Sequence, residues 1–381
     1  MNRKEVNEIK KLYTLEDSPI SRICGCFVDT DKNKKVDEKN AFVMLEDEAK
    51  HKYFDIFKKT LSGAIGRNLI NMSFPTDKES EEGSAFNMLM KLRDSELTDS
   101  DLIEQFYDRI IENFDYPDNY YIILIHNNYD IPAITKDGMS LEDASDEVYQ
   151  YIICAICPIK PSKPGLTYNA HTNSIENCVR SMMVEAPMLG FTFPAFNDRS
   201  SDVHNILYYT KNAKDISSAI TETVLELVPP YTAGTQKDLF NEIIEESYGK
   251  DCGFDKIKSL HTNLNDLMAE KKDDPEPLIL DKTEVKHLLA NSGAKKENIE
   301  TFEAEYDESI SKDTPILASN IANTKKFEVK MPDVTIQVSP DRTELINTKL
   351  IDGVPYLLIQ VTDAVVVNGI SCHPLSGVEE L

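Results

Sequence analysis

Two long apolar runs constrain the fold of this chain more than any other feature of its sequence. One is NYYIILIHNN, at residues 119–128, and the other is VYQYIICAICPI, at residues 148–159. Neither run contains Asp, Glu, Lys or Arg, and both are rich in β-branched and aromatic residues, which is typical of buried strands. The two runs therefore predict buried strands of one sheet, and Asp137-Gly138 predicts a turn between them.

Shorter patterns on either side of these runs predict further strands and several helices. Two strands around a polar turn are predicted from SRICGCFVDTDKNKKVDEKNAFVML, and one further strand each from FTFPAF and HNILYYT. Helices are predicted over residues 2–13, 46–60, 84–93 and 99–113. The polar segment PTDKESEEG, at residues 75–83, predicts a break between elements.

The pattern changes twice in the C-terminal part of the chain. Pro229-Pro230 end the sheet domain, and the following segment, up to residue 311, shows only helical patterns. From residue 326 the apolar residues alternate again, and Asp352-Gly353 and Asn368-Gly369 each predict a hairpin. The sequence therefore predicts an α+β fold. Its parts are a mixed-sheet domain of helices and strands over residues 1–230, a helical segment over 231–325, a small β domain over 326–375 and a tail over 376–381.

The charge of the chain restricts the classes of partner that it could bind. Its 381 residues carry a formal net charge of −25 at pH 7, and an acidic chain repels phosphate backbones. Direct nucleic-acid binding is therefore disfavoured. A basic protein partner, or mimicry of nucleic acid, is compatible with this charge.

Several features predict a cytoplasmic location. No apolar segment of a signal peptide follows MNRKEVNEIKKLY, and no apolar run is long enough to span a bilayer, so no membrane association is expected. The seven cysteines are scattered over the chain. Such scattering is typical of a reducing compartment rather than of a disulfide framework.

Several long motifs of the chain resemble those of one protein family. They are RICGCFVD, FDIFKKTLSG, IHNNYDIP, ICPIKPSKPGLTYN, FPAFNDRSSDVHNILYYTKN, DVTIQVSP, IDGVPYLLIQV and VVVNGIS. The resemblance is to an uncharacterised bacterial family, a domain of unknown function in Firmicutes-type proteins of about this length, and it covers nearly the whole chain. It implies a cytoplasmic bacterial protein, and it implies no activity, cofactor or catalytic residue.

The loop at residues 197–204 is the first candidate functional site. Asp198, Asp202 and His204 could act as acid and base or converge on a metal, and Arg199 could hold a substrate anion with two hydrogen bonds. The alternative is a structural turn, because Asn and Asp side chains often bond to nearby backbone groups and Asp198 could pair with Arg199. The residue types favour the structural turn.

The segment at residues 126–130 is the second candidate site. His126 ends a buried strand, where functional side chains are often found, and histidine titrates near neutral pH. Asp130 closes the same segment. A lone histidine is more often a hydrogen-bonded core residue, so a functional role depends on whether this segment meets the 197–204 loop in space.

Two close pairs of cysteines form the third candidate site. Cys24 and Cys26 lie in one predicted strand, and Cys154 and Cys157 lie in another. Four thiolates could bind zinc if the two strands were neighbours. However, the spacing places the first pair on one face of its strand and the second pair on opposite faces, and the apolar surroundings favour buried free thiols. No metal and no cofactor is therefore predicted.

Three functional hypotheses follow from these patterns. The leading one is a cytoplasmic protein that binds another macromolecule through its β tail, because no complete catalytic motif is present. The second is a hydrolase for a small polar or phosphorylated substrate, with His126 or His204 as base and Arg199 as anion holder between the 126–130 and 197–204 segments. The third is an acidic nucleic-acid mimic or a nucleoid-associated-like protein. The patterns do not decide whether the chain is an enzyme, but they favour a chain without catalytic activity. No oligomeric state is predicted.

Overall fold

The computed structural model of the chain describes residues 1–134, 140–177, 181–310, 315–362 and 364–372. Contacts between residues divide the chain into two compact units. Unit 1 comprises residues 1–235 and 275–277, and unit 2 comprises residues 236–274 and 278–381. The four-part division predicted from the sequence stays a prediction. The Asp137-Gly138 turn and the tail at 376–381 lie outside the described residues.

Unit 1 contains helices close to the positions that the sequence predicted. They are α1 (Arg3–Lys11), α2 (Asp47–Thr60), α3 (Thr76–Ser80), α4 (Ala85–Asp94) and α5 (Ser100–Asn113), with a 3₁₀ turn at Phe42–Met44 and a π-helical turn at Ala219–Val224. The short helix α3 lies where the sequence predicted only a polar break. Pro75 occupies its N-cap, where the missing N–H of proline is not needed.

The strands of unit 1 form one large antiparallel sheet and two small hairpins. They are β1 (Ile20–Val28), β2 (Lys34–Ala41), β3 (Leu69–Ser73), β4 (Tyr120–Ile134), β5 (Ser140–Pro161), β6 (Leu166–Asn169), β7 (Ser174–Asn177), β8 (Met182–Val184), β9 (Leu189–Phe193), β10 (Ala195–Asn197), β11 (Ser200–Asp202) and β12 (Asn205–Thr210). The sheet order is β2-β1-β4-β5-β9-β12-β3, and β8 pairs with the C-terminal end of β5. The two long apolar runs are therefore neighbours at the centre of the sheet.

Side-chain alternation along β4 separates two cores, one on each face of the sheet. Ile122 and Leu124 point into the first core, and Ile123 and Ile125 point into the second. Side chains of α4 and α5 cover the first face, and side chains of α1 and α2 cover the second. All four β4 residues are fully buried, which contributes about 1.5–3 kcal/mol each. Burial on both faces explains why this strand has a continuous apolar sequence.

Helices follow the sheet domain, as the sequence predicts. They are α6 (Ala233–Tyr248), α7 (Phe254–Glu270), α8 (Lys282–Asn291), α9 (Lys296–Ser309) and α10 (Ala318–Ile321), with 3₁₀ turns at Gly249–Asp251 and Pro340–Leu345. Asp281 caps α8 by accepting the backbone N–H of Glu284 at 2.8 Å. Gly293 ends the same helix with a φ of 79°. These helices enclose a third core within unit 2.

The C-terminal strands form three separate hairpins in unit 2. The strands are β13 (Phe327–Met331), β14 (Val334–Val338), β15 (Ile346–Ile351), β16 (Val354–Ile359), β17 (Val365–Val367) and β18 (Ile370–Cys372). Each hairpin is a two-stranded sheet of its own. The turn residues Asp352-Gly353 and Asn368-Gly369 have positive φ angles, as two-residue hairpin turns require. The α+β class predicted from the sequence is confirmed.

Candidate functional site

The segment at residues 197–204 consists largely of a tight hairpin. Strands β10 and β11 pair antiparallel, with Asn197 opposite Ser200. Asp198 and Arg199 connect them with φ angles of 51° and 55°. These are the left-handed conformations that a two-residue hairpin turn needs. Asp198 and Arg199 therefore form the turn of this hairpin.

The guanidinium of Arg199 is committed to a carboxylate of helix α1. Its Nη2 donates to Oε1 of Glu8 at 3.0 Å and to the carbonyl oxygen of Pro132 at 3.3 Å. The hydroxyl of Tyr129 donates to the same Glu8 oxygen at 2.9 Å. The hydrogen bond with Glu8 raises the pKa of Arg199 above its ordinary value. Arg199 therefore ties the hairpin to α1 and β4, and its charge is already neutralised.

Asp202 acts as an acceptor within its own turn. Its Oδ2 accepts from the amides of Asn197 at 2.7 Å and Asn205 at 2.6 Å, and its Oδ1 accepts from the backbone N–H of His204 at 3.1 Å. Asp198 is exposed at the hairpin tip. These three hydrogen bonds hold the carboxylate of Asp202 within the turn and stabilise the turn.

The imidazole of His204 makes a surface contact with helix α3. Its Nδ1 lies 2.9 Å from Oε1 of Glu79, and the side chain is 65% exposed. The contact with Glu79 raises the pKa of His204. The imidazole thus pairs with Glu79, while only the backbone of His204 bonds to Asp202.

His126 lies on the opposite side of the sheet from the hairpin. It shares a face of β4 with Leu124 and is fully buried, whereas Asn127 and Tyr129 point to the face that Arg199 and Glu8 occupy. Asp130 is exposed further along the strand. The central sheet therefore separates the imidazole of His126 from the side chain of Arg199.

The contacts of His126 are those of a buried neutral imidazole. Its Nδ1 lies 2.7 Å from Oγ of Ser21, which also donates to the His126 carbonyl oxygen at 3.2 Å. Its Nε2 has no hydrogen-bond partner among the described residues. Burial lowers the pKa of His126, with a smaller opposing effect from Glu96.

We predict that His126 makes unit 1 less stable in mild acid. In the unfolded chain a histidine titrates near pH 6.5, so below this pH the unfolded state binds a proton that the folded state resists. The free energy of unfolding should therefore fall as the pH drops below 6.5, by about 1.4 kcal/mol for each unit by which burial lowers the pKa. Urea unfolding at several pH values measures this loss.

The variant His126→Gln is the control for this prediction. It keeps a polar side chain near Ser21 but removes the titrating group, so its stability should fall less steeply in acid. His261 of unit 2 also has a pKa lowered by burial, and it cancels because it is present in both proteins. Equal acid dependence of the two proteins would contradict the prediction.

The four candidate cysteines do not share one side of the sheet. Cys24, Cys26 and Cys154 point into the first core, and Cys157 points into the second. In the strand register Leu124 lies between Cys24 and Cys154. Burial raises the pKa of the Cys154 and Cys157 thiols. In the part of the chain that the structure describes, no three His, Cys, Asp or Glu residues form a group that could hold a metal ion.

Sequence reasoning missed Glu8 and Tyr129, which anchor Arg199. No local pattern in α1 marks Glu8, because it lies 191 residues from Arg199 along the chain. Tyr129 stands within the 126–130 segment, but its role depends on which face of β4 it occupies. The sequence thus identified Arg199 as a candidate residue but did not identify the residues that it contacts.

The hairpin β15–β16 in unit 2 presents apolar side chains to solvent. Leu350 is 69% exposed, Ile359 is 53% exposed and Tyr356 is 46% exposed. The register pairs Leu350 with Pro355 on one face and Lys349 with Tyr356 on the other, so both faces contribute. The hairpin β17–β18 adds Val366, at 62%, and Ile370, at 72%. Apolar side chains that are exposed together can mark a contact surface for another molecule.

A comparison with known protein families decides where the chain belongs. The family model described as Domain of unknown function (DUF4317) matches residues 1–370. The chain belongs to this family. The DUF4317 match runs from α1 into the third C-terminal hairpin, so it spans both units. The predicted resemblance to a domain of unknown function is confirmed.

One further comparison and one property of its helices concern this DUF4317 chain. A search of curated proteins found no match to it. Within the described ranges, no helix has both the length and the apolar character that crossing a bilayer requires.

Proposed function

We propose that this chain is a cytoplasmic macromolecule-binding protein whose C-terminal hairpins dock a protein partner. The observation that carries the proposal is the apolar surface of β15–β16, where Leu350 and Tyr356 stand on opposite faces of a hairpin and are both exposed. A two-stranded hairpin alone is marginally stable in water, and three strands or a packing partner stabilise it. Helix α7 contacts the start of β15, where Lys258 donates to the carbonyl oxygen of Ile346 at 2.9 Å, and a partner that covers the exposed faces would add packing.

The hairpin edges suggest that the partner packs on the faces and not along the strands. Inside the four strands β15, β16, β17 and β18, Lys349 is the only Asp, Glu, Lys or Arg residue, and it stands in an edge strand. Pro355 stands in the paired strand, where it offers no N–H for another strand. Lysine and proline on edge strands discourage pairing with further strands.

The chemistry of the partner follows from this apolar, weakly charged surface. The partner is a different protein that presents apolar side chains to β15–β16. The net charge of the whole chain is −25, which would attract a partner that is basic around its contact area and speed the encounter.

The hydrolase hypothesis receives less support from the geometry. Arg199 pairs with Glu8 and His204 pairs with Glu79, so the guanidinium and the imidazole already have acidic partners. His126 is buried on the other face of the sheet. A base and an anion holder for one substrate need to face the same space.

Site-specific photocrosslinking tests the proposed function. The full-length chain carries a photoreactive phenylalanine in place of Tyr356 and is irradiated in cells that express it. We expect one partner protein to be crosslinked, and we expect Leu358→Asp to abolish this product, because Leu358 shares the face of Tyr356 and a charge there would be buried in the contact.

A photoreactive residue in place of Lys296, on α9 and 91% exposed, is the matched control. It should give no such product. The proposal is wrong if position 356 gives no product, if both positions give the same products, or if position 356 crosslinks only to another copy of the chain.

A further inference from the structure

On one face of the hairpin β6–β7 in unit 1, the polar side chains form hydrogen bonds with one another. Thr172, Ser174 and Asn169 all donate to the carboxylate of Glu176, at 2.5, 2.6 and 3.1 Å. These hydrogen bonds lower the pKa of Glu176 to about 2. The carboxylate is therefore ionised and already has three donors from its own hairpin.

The other face of the same hairpin is apolar and exposed. Tyr168 and Ile175 are direct neighbours across the strands, and Leu166 lies two residues from Tyr168, so the three share a face. Leu166 is 74% exposed, Ile175 63% and Tyr168 59%. Among the described residues, β6 and β7 pair only with each other. This face has the composition of an interface, and its three apolar side chains are exposed in the part of the chain that the structure describes.

Residues 160–177, here called the arm, differ in charge from the rest of the chain. The arm contains two lysines, Lys160 and Lys163, and both are exposed. Its only acidic residue is Glu176, within a chain whose net charge is −25. An apolar face with two lysines shortly before it in the chain is complementary to an acidic surface that also offers apolar contact.

Unit 1 itself supplies a surface of that kind. A shallow open groove of about 590 Å³ runs between α4 and α5, and Leu102 contributes apolar surface to it. Its walls are charged or polar, with three aspartates against one lysine: Lys91, Asp94, Ser95, Asp99, Asp101 and Gln105. The groove complements the two lysines of the arm in charge, although Asp94 already pairs with Arg93 at 2.6 Å, and Leu102 offers one apolar contact for the arm.

We propose that the arm of one copy of this chain docks on the α4–α5 groove of a second copy. The exchange of two arms between two copies is symmetric, so it closes into a dimer without leaving a free arm. The proposal concerns unit 1 only, and it stands or falls separately from the docking role of the C-terminal hairpins.

A second copy fits the arm better than nucleic acid or an anionic membrane does. Both of those partners are held by runs of basic residues, and two lysines are too few to offset the charge of −25. An acidic protein surface needs only a few short-range pairs, which persist at physiological salt when longer-range repulsion is screened.

Sedimentation of the full-length chain over a range of micromolar concentrations tests the proposal. We expect a dimer, and we expect Tyr168→Asp to raise its dissociation constant about tenfold or more. The exposed control Val43→Asp, outside the arm and 73% exposed in the wild type, should leave the constant unchanged. Circular dichroism confirms folding, and Leu166→Lys replaces Tyr168→Asp if that variant is unfolded.

Charge reversal separates arm exchange from other modes of association. The variant Lys160→Glu/Lys163→Glu and the variant Asp94→Lys/Asp101→Lys should each weaken the dimer, and the combination of all four changes should restore its dissociation constant to within about threefold of wild type. The proposal is overturned by a wild-type monomer at every concentration, by a dimer that Tyr168→Asp leaves intact, or by failure of the combination to restore binding. Binding of the arm to a single-stranded oligonucleotide or to anionic vesicles, lost in Tyr168→Asp, would also overturn it.

Discussion

Replacing Gly190 with alanine is expected to lower the free energy of unfolding of unit 1 by about 3 kcal/mol. Gly190 lies in β9 and pairs with Ala155 of β5. A Cβ atom at this position would lie 2.5 Å from the carbonyl oxygen of Cys154 and 2.7 Å from Cγ2 of Thr60. The carbonyl belongs to the central sheet and Thr60 to the helix α2 that covers it, so relief of the clash must shift one of them.

Gly165 provides the matched control for this substitution. No heavy atom lies within 4 Å of the position that its Cβ would occupy. Gly165→Ala should therefore change the free energy of unfolding by no more than about 0.5 kcal/mol. Urea denaturation followed by circular dichroism measures both variants. A similar loss for the two, or no loss for Gly190→Ala, would mean that α2 does not pack this closely on the sheet.

Replacing Phe302 with alanine is expected to lower the free energy of unfolding of unit 2 by about 3–5 kcal/mol. Phe302 is fully buried in the core formed by the helices of this unit, together with Leu264 and Leu289. Its ring centroid lies 5.5 Å from that of Tyr306. Truncation removes these contacts and leaves a cavity that the neighbouring helices fill only in part.

Tyr356→Ala is the control within the same unit, because Tyr356 is an aromatic residue that is 46% exposed. Its loss should cost about 0.5 kcal/mol or less. In calorimetry, Phe302→Ala and Gly190→Ala should shift different transitions, since the two residues belong to separate compact units. A shift of one common transition by both variants would contradict separate unfolding of the units.

The elements of the fold that the sequence predicted best are those with strong local signals. The apolar run around Ile122–Ile125 could only be satisfied by burial on both faces, and the structure places it at the centre of the sheet. The cap at Asp281 and the turns at Asp352-Gly353 and Asn368-Gly369 depend on a few adjacent residues. Strands β6, β7 and β8 lack such a signal and were not predicted.

In the candidate site, local sequence signals predicted less than they did for the elements of the fold. The polar residues of the 197–204 segment are visible in the sequence, and so is the preference of Asn and Asp for turns. The pairing of Arg199 with Glu8 joins residues 191 positions apart and has no local signature. The same holds for His126, whose separation from Arg199 depends on the course of the chain from one face of the sheet to the other.

By itself the sequence determined the α+β class, the positions of the main helices and the central strands, and the turns of the C-terminal hairpins. These follow from the 3.6-residue and two-residue periods of apolar side chains and from residues that set backbone angles, all of which act over a few positions. Only the tertiary structure decided which polar side chains meet and which apolar faces stay exposed. Those outcomes depend on strand order and on the face that each element covers, so Arg199 lies against Glu8, His126 stays buried, and Tyr168 and Tyr356 remain exposed to solvent.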